Sequence, residues 1–339
     1  MNKIVKIFMS LFLVFALILA GGYFYYRNNL APVNSSLEVN KVEFLVEKGS
    51  TPGLIAKNLK DNNLIKDEKS FLAYVRLNKL DPQLIAGNYL LTDAMSVKEI
   101  TEVIIKGVSI QKRFTVPEGY TIWQIAELME KENIMTQDEF SKLAIEEDFP
   151  QFDFLKGLNK DKHRMEGYLF PETYYISEKE NPKKIFEIML SQYQTVRDRL
   201  PENKSGLNER EALILASLVE AESMASKERP VIASVFLNRL NLNMRLECDA
   251  TIQYALGKRK EIVLFSDLEI DSPYNTYRRT GLTPTPICAT GESALRAVYQ
   301  PEDTEYLFFF AKNDGTGEHI FNEIYAEHER EMRDWGYRQ

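Results

Sequence analysis

The apolar and polar positions of this chain fall into three blocks: one long uncharged run, two near-copies of a short mixed pattern, and a longer mixed region. Residues 7–26 carry no charge, and about 20 apolar residues suffice to cross a hydrocarbon core as a helix. Lys3 and Lys6 precede the run, while Tyr23, Phe24, Tyr25 and Tyr26 form an aromatic belt at its far end, followed by Arg27. The pattern predicts a transmembrane helix at 7–26 with residues 1–6 cytoplasmic, so that everything past residue 30 is extracytoplasmic. A cleaved signal peptide is the competing reading. Small residues suited to cleavage occur at Leu19-Ala20-Gly21-Gly22, but the apolar run is long for a signal and bulky aromatics follow it. Residues 27–40, mostly polar and with Pro32, read as a linker.

A repeat with a spacing of 70 follows. Val46, Gly49 and Thr51 match Val116, Gly119 and Thr121; Ile55, Ala56, Leu59, Asn63 and Leu64 match Ile125, Ala126, Met129, Asn133 and Ile134. Each copy predicts a strand, a Gly turn, a Thr-capped helix with apolar residues at a period of 3.6, and a second helix, at 69–76 or 137–144. A strand at 87–91 and a helix at 97–106 lie between them. Two copies are too few for a solenoid, so 41–158 reads as duplicated small α+β modules. Such modules suit binding an extended polymer, or serve as a rigid stalk.

In the third block the pattern predicts helices at 182–200, 208–222, 230–240 and 292–298, a buried strand at 306–311 and a terminal helix. The segment at 208–222 stands out. Asn208 with Glu211 forms a capping-box pattern, Leu213, Ile214, Leu215, Leu218 and Val219 cover most faces, and Glu220 and Glu222 close the run. A carboxyl among aliphatic side chains stays protonated or needs a partner, and the carbonyl end of a helix also disfavours a carboxylate. Both effects raise the pKa, as a general acid near neutral pH requires. Glu220 and Glu222, two apart, face different sides. Asp249 reads as an N-cap for the turn carrying Gln253 and Tyr254, and Thr290-Gly291 as a cap for the helix after it. The connector 159–175 is rich in aromatics and broken by Gly167 and Pro171; it is an aromatic plug or part of a cleft. The loop 272–286, with hydroxyls, amide, aromatics and prolines, resembles a carbohydrate cleft wall, or is a surface loop.

The composition removes several alternatives. A net charge of −8 argues against general nucleic-acid binding, which needs clustered Lys and Arg; Lys258-Arg259-Lys260 is too short a run to change that. The three histidines, His163, His319 and His328, form no H-E-x-x-H, so no zinc site is expected. Cys248 and Cys288 either pair or remain buried thiols. Ser109-Ile110-Gln111-Lys112 matches S-x-x-K, but it falls in a predicted strand and neither S-D-N nor K-T-G follows.

Taken together, E-G-Y-L-F-P-E-T-Y at 166–174, A-S-L-V-E-A-E-S at 216–223, V-F-L-N-R-L at 235–240, D-A-T-I-Q-Y at 249–254, S-P-Y-N-T-Y at 272–277, G-L-T-P-T-P-I at 281–287 and H-I-F-N at 319–322 resemble the endolytic murein transglycosylase (YceG-like) family. The resemblance implies an α+β fold: an N-terminal transmembrane helix, a LysM-like region over 41–158 and a mixed catalytic domain over 159–339. It implies cleavage of the bond between N-acetylmuramic acid and N-acetylglucosamine in nascent peptidoglycan, leaving 1,6-anhydro ends and limiting strand length. Glu222 falls on the family's catalytic acid. Glu166, Tyr168, Gln253, Asn275 and Tyr277 are the expected cleft residues, and no cofactor or metal is expected. The implied partners are glycan strands, the cell membrane and cell-wall synthases of the penicillin-binding type. One departure is Ala250, where the family commonly has Pro. Two rivals stand beside this reading: a hydrolase of the same bond, and a non-catalytic peptidoglycan-binding scaffold.

Overall fold

The computed structural model describes residues 3–34, 39–107, 112–177, 180–258, 260 and 262–337, with side chains described from residue 12 onward. Part of the predicted linker (35–38), Ser109-Ile110-Gln111 of the S-x-x-K match and Arg259 of the basic run therefore lie outside the described residues. The chain divides into two compact units, residues 1–113 with 175–179, and residues 114–174 with 180–339. The first repeat copy lies in the first unit, and the second copy lies in the second apart from the outer ends of its two strands, residues 112–113 and 175–176.

The first unit begins with helix α1 (Lys3–Asn29), which contains the predicted span; residues 7–11 of that span lie among the undescribed side chains. No helix of the described residues is long and apolar enough to cross a membrane. The module follows as β1 (Lys41–Val46), α2 (Pro52–Asp61), α3 (Glu68–Leu77) and β2 (Gly87–Thr92), with α4 (Val97–Lys106) after it. β1 and β2 pair antiparallel from Lys41↔Thr92 to Val46↔Gly87. Alternate strand residues, Phe44, Val46, Tyr89 and Leu91, enter a core shared with Ile55, Leu59, Phe71, Val75, Ile100 and Ile104. Each such side chain contributes about 1.5–3 kcal/mol when fully buried.

The second copy repeats the β-α-α-β order as β3 (Lys112–Thr115), α5 (Ile122–Lys131), α6 (Gln137–Glu146) and β4 (Thr173–Ile176). The duplication is visible atom by atom. Thr51 accepts from Leu54 N at 3.3 Å, and Thr121 accepts from Gln124 N at 3.4 Å. Asn63 and Asn133 leave their helices with φ of 56° and 50°, the left-handed region that Asn tolerates better than most residues. The copies differ in the run from second helix to closing strand. That run is 78–86 in the first copy and 147–172 in the second, and the longer one carries the aromatic connector.

The remainder of the second unit comprises α7 (Pro182–Asp198), α8 (Glu209–Glu222), α9 (Arg229–Asn241), α10 (Asp249–Leu256), α11 (Glu292–Tyr299), the antiparallel pair β5 (Phe308–Ala311) and β6 (His319–Asn322), and α12 (Tyr325–Asp334). Helix α8 starts at a full capping box: Asn208 Oδ1 accepts from Glu211 N at 3.0 Å and Glu211 Oε2 accepts from Asn208 N at 2.9 Å. Every residue from Ala212 to Glu220 is buried, and α9 and α11 pack on it. The expected strand at 306–311 is shorter and mostly half-buried, with only Phe310 buried in β5. The architecture is α+β, helices with three two-stranded sheets among the described residues.

Candidate active site

Helix α8 ends on Glu222, and its last turn sends two carboxyls in different directions. Glu222 is half-buried; its Oε1 accepts from the Cys248 thiol at 2.9 Å. Burial raises the Glu222 pKa, the nearby Asp249 charge adds to the rise, and the Cys248 thiol and Ala250 N–H oppose it. The Cys248 thiol is itself pushed up by burial and by Glu222, so it stays protonated and acts as a donor. Cys288 is buried too, its thiol donating to Ser217 O at 3.4 Å, so the two cysteines do not pair in this structure.

Glu220, buried, meets the Arg229 guanidinium at 2.5 Å and accepts from Gly291 N at 3.0 Å. Arg229 also donates to Ser223 Oγ at 3.0 Å and lies 3.4 Å from Glu118 Oε2, so one guanidinium joins the last turn of α8 to the turn before α5. Burial and the Glu118 carboxylate raise the Glu220 pKa, and Arg229 holds it down. A Cβ at Gly291 would lie 1.8 Å from Glu118 Oε1, so a larger residue there would push the Glu118 side chain away from Arg229. Sequence reading missed Glu118 and Arg229; nothing local to either signals a partner about a hundred residues away.

Asp249 and Thr290 do not cap helices as expected. Asp249 is the first residue of α10, which has no side-chain cap bond, and its carboxylate accepts from Tyr277 Oη at 2.6 Å. Thr290 instead donates to Cys288 O at 3.3 Å. Among the described residues no group of three His, Cys, Asp or Glu side chains is placed to hold a metal.

The expected cleft residues separate into two kinds. Gln253 lines a cavity of about 500 Å³ together with Trp123 and Gln124 of α5, Ala221 of α8 and Ala250 and Tyr254 of α10. Tyr277 stands beside Glu222 through its bond to Asp249. Glu166, Tyr168 and Asn275, by contrast, are buried and line neither wall. Tyr168 stacks on Phe154 at 5.6 Å, the plug arrangement. Asn275 gives both bonds of its amide to Leu268 O and Ile270 O, each 2.8 Å, and accepts from Tyr277 N, so it shapes the 272–286 loop and aims Tyr277.

Glu166 joins two walls of the cavity. It accepts from Ile122 N at the start of α5 (3.0 and 3.1 Å) and from Tyr254 Oη of α10 (2.9 Å). Burial pushes its pKa up to about 8, against the pull of those two donors. The folded protein thus holds a proton there that the unfolded chain loses near the ordinary value of 4.5. The stability this contributes is present below 4.5 and lost as pH rises through 8. Urea unfolding of the wild type should therefore show stability falling across this window, and Glu166→Gln should flatten the fall. An unchanged slope in the variant would rule out this carboxyl as its source.

The YceG-like family model matches residues 44–334. The chain belongs to the YceG-like family. Among members of this family, the chain is 36% identical over 329 residues to the endolytic murein transglycosylase of Bacillus subtilis (strain 168), a match covering 93% of this chain and 90% of that protein. It is 32% identical over 345 residues to the endolytic murein transglycosylase of Streptococcus pneumoniae (strain D39), covering 91% of this chain and 61% of that longer protein. The crystal structure of a YceG-like protein from Listeria monocytogenes superimposes with a TM-score of 0.56 at 33% identity, covering 86% of this chain and 99% of that one.

Proposed function

We propose that this chain is a lytic transglycosylase that cleaves the glycan strands of peptidoglycan, with Glu222 as its acid–base group. The observation that carries the reading is Glu222 itself, a half-buried carboxyl of raised pKa on the last residue of a buried helix, one residue from the cavity lined by Ala221. The names of the relatives supply the substrate. In the first step Glu222 gives its proton to the glycosidic oxygen and the bond to the muramyl C1 breaks. In the second, the carboxylate takes the proton of the muramyl 6-hydroxyl as that oxygen bonds to C1, closing a 1,6-anhydro ring. One group serves twice, so no second carboxyl is required.

Asp249 supports a second reading. Its exposed carboxylate, held by Tyr277, lies near enough to raise the Glu222 pKa. Two carboxyls flanking one bond is the arrangement of a glycosidase that uses water. The products separate the two. Uncrosslinked glycan strands incubated with the protein and analysed by mass spectrometry should yield 1,6-anhydro ends; reducing ends would assign a hydrolase with Asp249 activating water. Intact strands would sink both readings and leave a binding scaffold.

The membrane belongs to the same proposal. The uncharged run at 7–26 and the exposure of Phe12, Leu13, Leu17 and Phe24 on α1 support an anchor with the catalytic region outside the cytoplasm. An enzyme tethered there would meet strands as synthases release them and so limit their length.

A further inference from the structure

The cavity beside α8 has a neighbour of about 490 Å³ lined by His163, Ser272 and Tyr274. The two share Trp123, Tyr254 and Gly257 as lining residues. Trp123 is half-buried, and Tyr254 backs it with ring centroids 4.7 Å apart. Tyr254 in turn is fixed by Glu166 and by a 2.8 Å hydrogen bond with His163 Nδ1. The indole is therefore a braced ridge between two adjoining hollows, each within the size range of small-molecule sites.

The duplication provides an internal comparison. At the repeat spacing, Gly119 and Thr121 are matched by Gly49 and Thr51, the turn and the cap that build the helix. Trp123 and Gln124 are matched instead by Gly53 and Leu54. The first copy forms the same ten-residue helix with Gly53 at this place, so the module's fold does not require an indole there. What differs between the copies is the surface that lines the cavities.

We infer that Trp123 is the stacking platform of a sugar subsite in the cleft, taking the apolar face of an N-acetylated hexosamine ring adjacent to the cleaved bond, with the Gln124 amide beside it as hydrogen-bond partner for the ring's acetamido group. The inference rests on the glycan reading above. Indole rings present a large rigid apolar face, and the Gln124 amide N–H can donate to an acetamido carbonyl while its Oε1 is held by Thr121 N at 2.9 Å in the helix cap. The second module is then a wall of the catalytic cleft, while the first lacks the platform.

The test uses the full chain carrying Glu222→Gln, so that ligand is bound and not cut, titrated by calorimetry with an N-acetylglucosamine tetramer and with uncrosslinked strands. Trp123→Gly, which installs the first copy's residue, should weaken binding about tenfold or more, and Trp123→Phe should retain most of it. On active protein, Trp123→Gly should act mainly on KM, since the platform holds the ring in both ground and transition states. Binding by Trp123→Gly and by Trp123→Phe both within twofold of the parent would overturn the inference while leaving the glycan reading intact. Failure of the Glu222→Gln parent to bind either ligand, with no cleavage by wild type, would sink both together.

Discussion

Glu222→Gln should lower the rate of strand cleavage by at least about 10²–10⁴-fold, the usual worth of a general acid–base group, while the protein remains folded. The amide matches the carboxyl in size but has no proton to give to the glycosidic oxygen and no basic oxygen to take one from the 6-hydroxyl. A group used in both steps loses both at once. Folding is spared because burial already disfavours the charged form at this position, so a neutral replacement removes nothing that the folded state needs. Glu220→Gln, two residues earlier, is the comparison: its carboxyl faces Arg229 and Gly291, so any loss of rate there should come with a loss of stability, unlike that of Glu222→Gln. Initial rates on soluble strands, with circular dichroism of each variant, decide the matter. Retention of more than a tenth of wild-type activity by Glu222→Gln would place the acid elsewhere. The wild-type rate should also fall at alkaline pH as Glu222 loses its proton, on a limb displaced upward from the ordinary carboxyl value by burial.

The largest loss of stability is expected from Arg229→Met. The side chains of Arg229 and Glu220 are 9% and 5% exposed, and removing one partner of a buried pair typically costs about 3–5 kcal/mol, because the other charge is left without compensation. Met fills the space but cannot replace the guanidinium. Glu118, close to the same atoms, makes matters worse by adding a like charge. The sign with pH follows. In the variant Glu220 can escape only by holding a proton, so its folded pKa rises further above the unfolded value, and the defect should be smaller at pH 5 than at pH 8. Both tryptophans, Trp123 and Trp335, lie in the second unit, so fluorescence-detected urea unfolding reports the unit concerned. Combining Arg229→Met with Glu220→Gln should recover part of the loss. A loss in Arg229→Met under about 1 kcal/mol at pH 8 would show that the cluster is not a structural brace.

Local signals carried much of the fold. The capping box at Asn208, the repeat spacing that places Asn63 and Asn133, and the apolar stripes of the paired helices are all written within a few turns of chain, where sequence neighbours are also spatial neighbours. What escaped depends on distant partners. Glu166 and Asn275 lie in motifs whose family resemblance implies cleft residues. Instead Glu166 is taken up by the remote backbone of Ile122 and by Tyr254, while Asn275 is taken up nearer home, by the backbone of Leu268, Ile270 and Tyr277. Glu118, Arg229 and Gly291 form one cluster from three separated stretches, and no periodicity announces it. Trp123 did leave a signal, its mismatch with Gly53, but that mismatch gains meaning only when the two cavities show where the ring lies.

The long run from α6 to β4 also has a consequence in time. Synthesis completes the first module's closing strand at Thr92, but the second module waits for Ile176. Roughly 80 residues separate the two events, or about 4–16 s at 5–20 residues per second. β3 is complete at Thr115, so for roughly 60 of those residues, or about 3–12 s, it has no strand to pair with. An unpaired edge beside fresh apolar helices is the form of chain most prone to join a neighbour. The second module therefore passes through a vulnerable interval during its synthesis, and any factor that shields a nascent chain has its clearest work between those two strands.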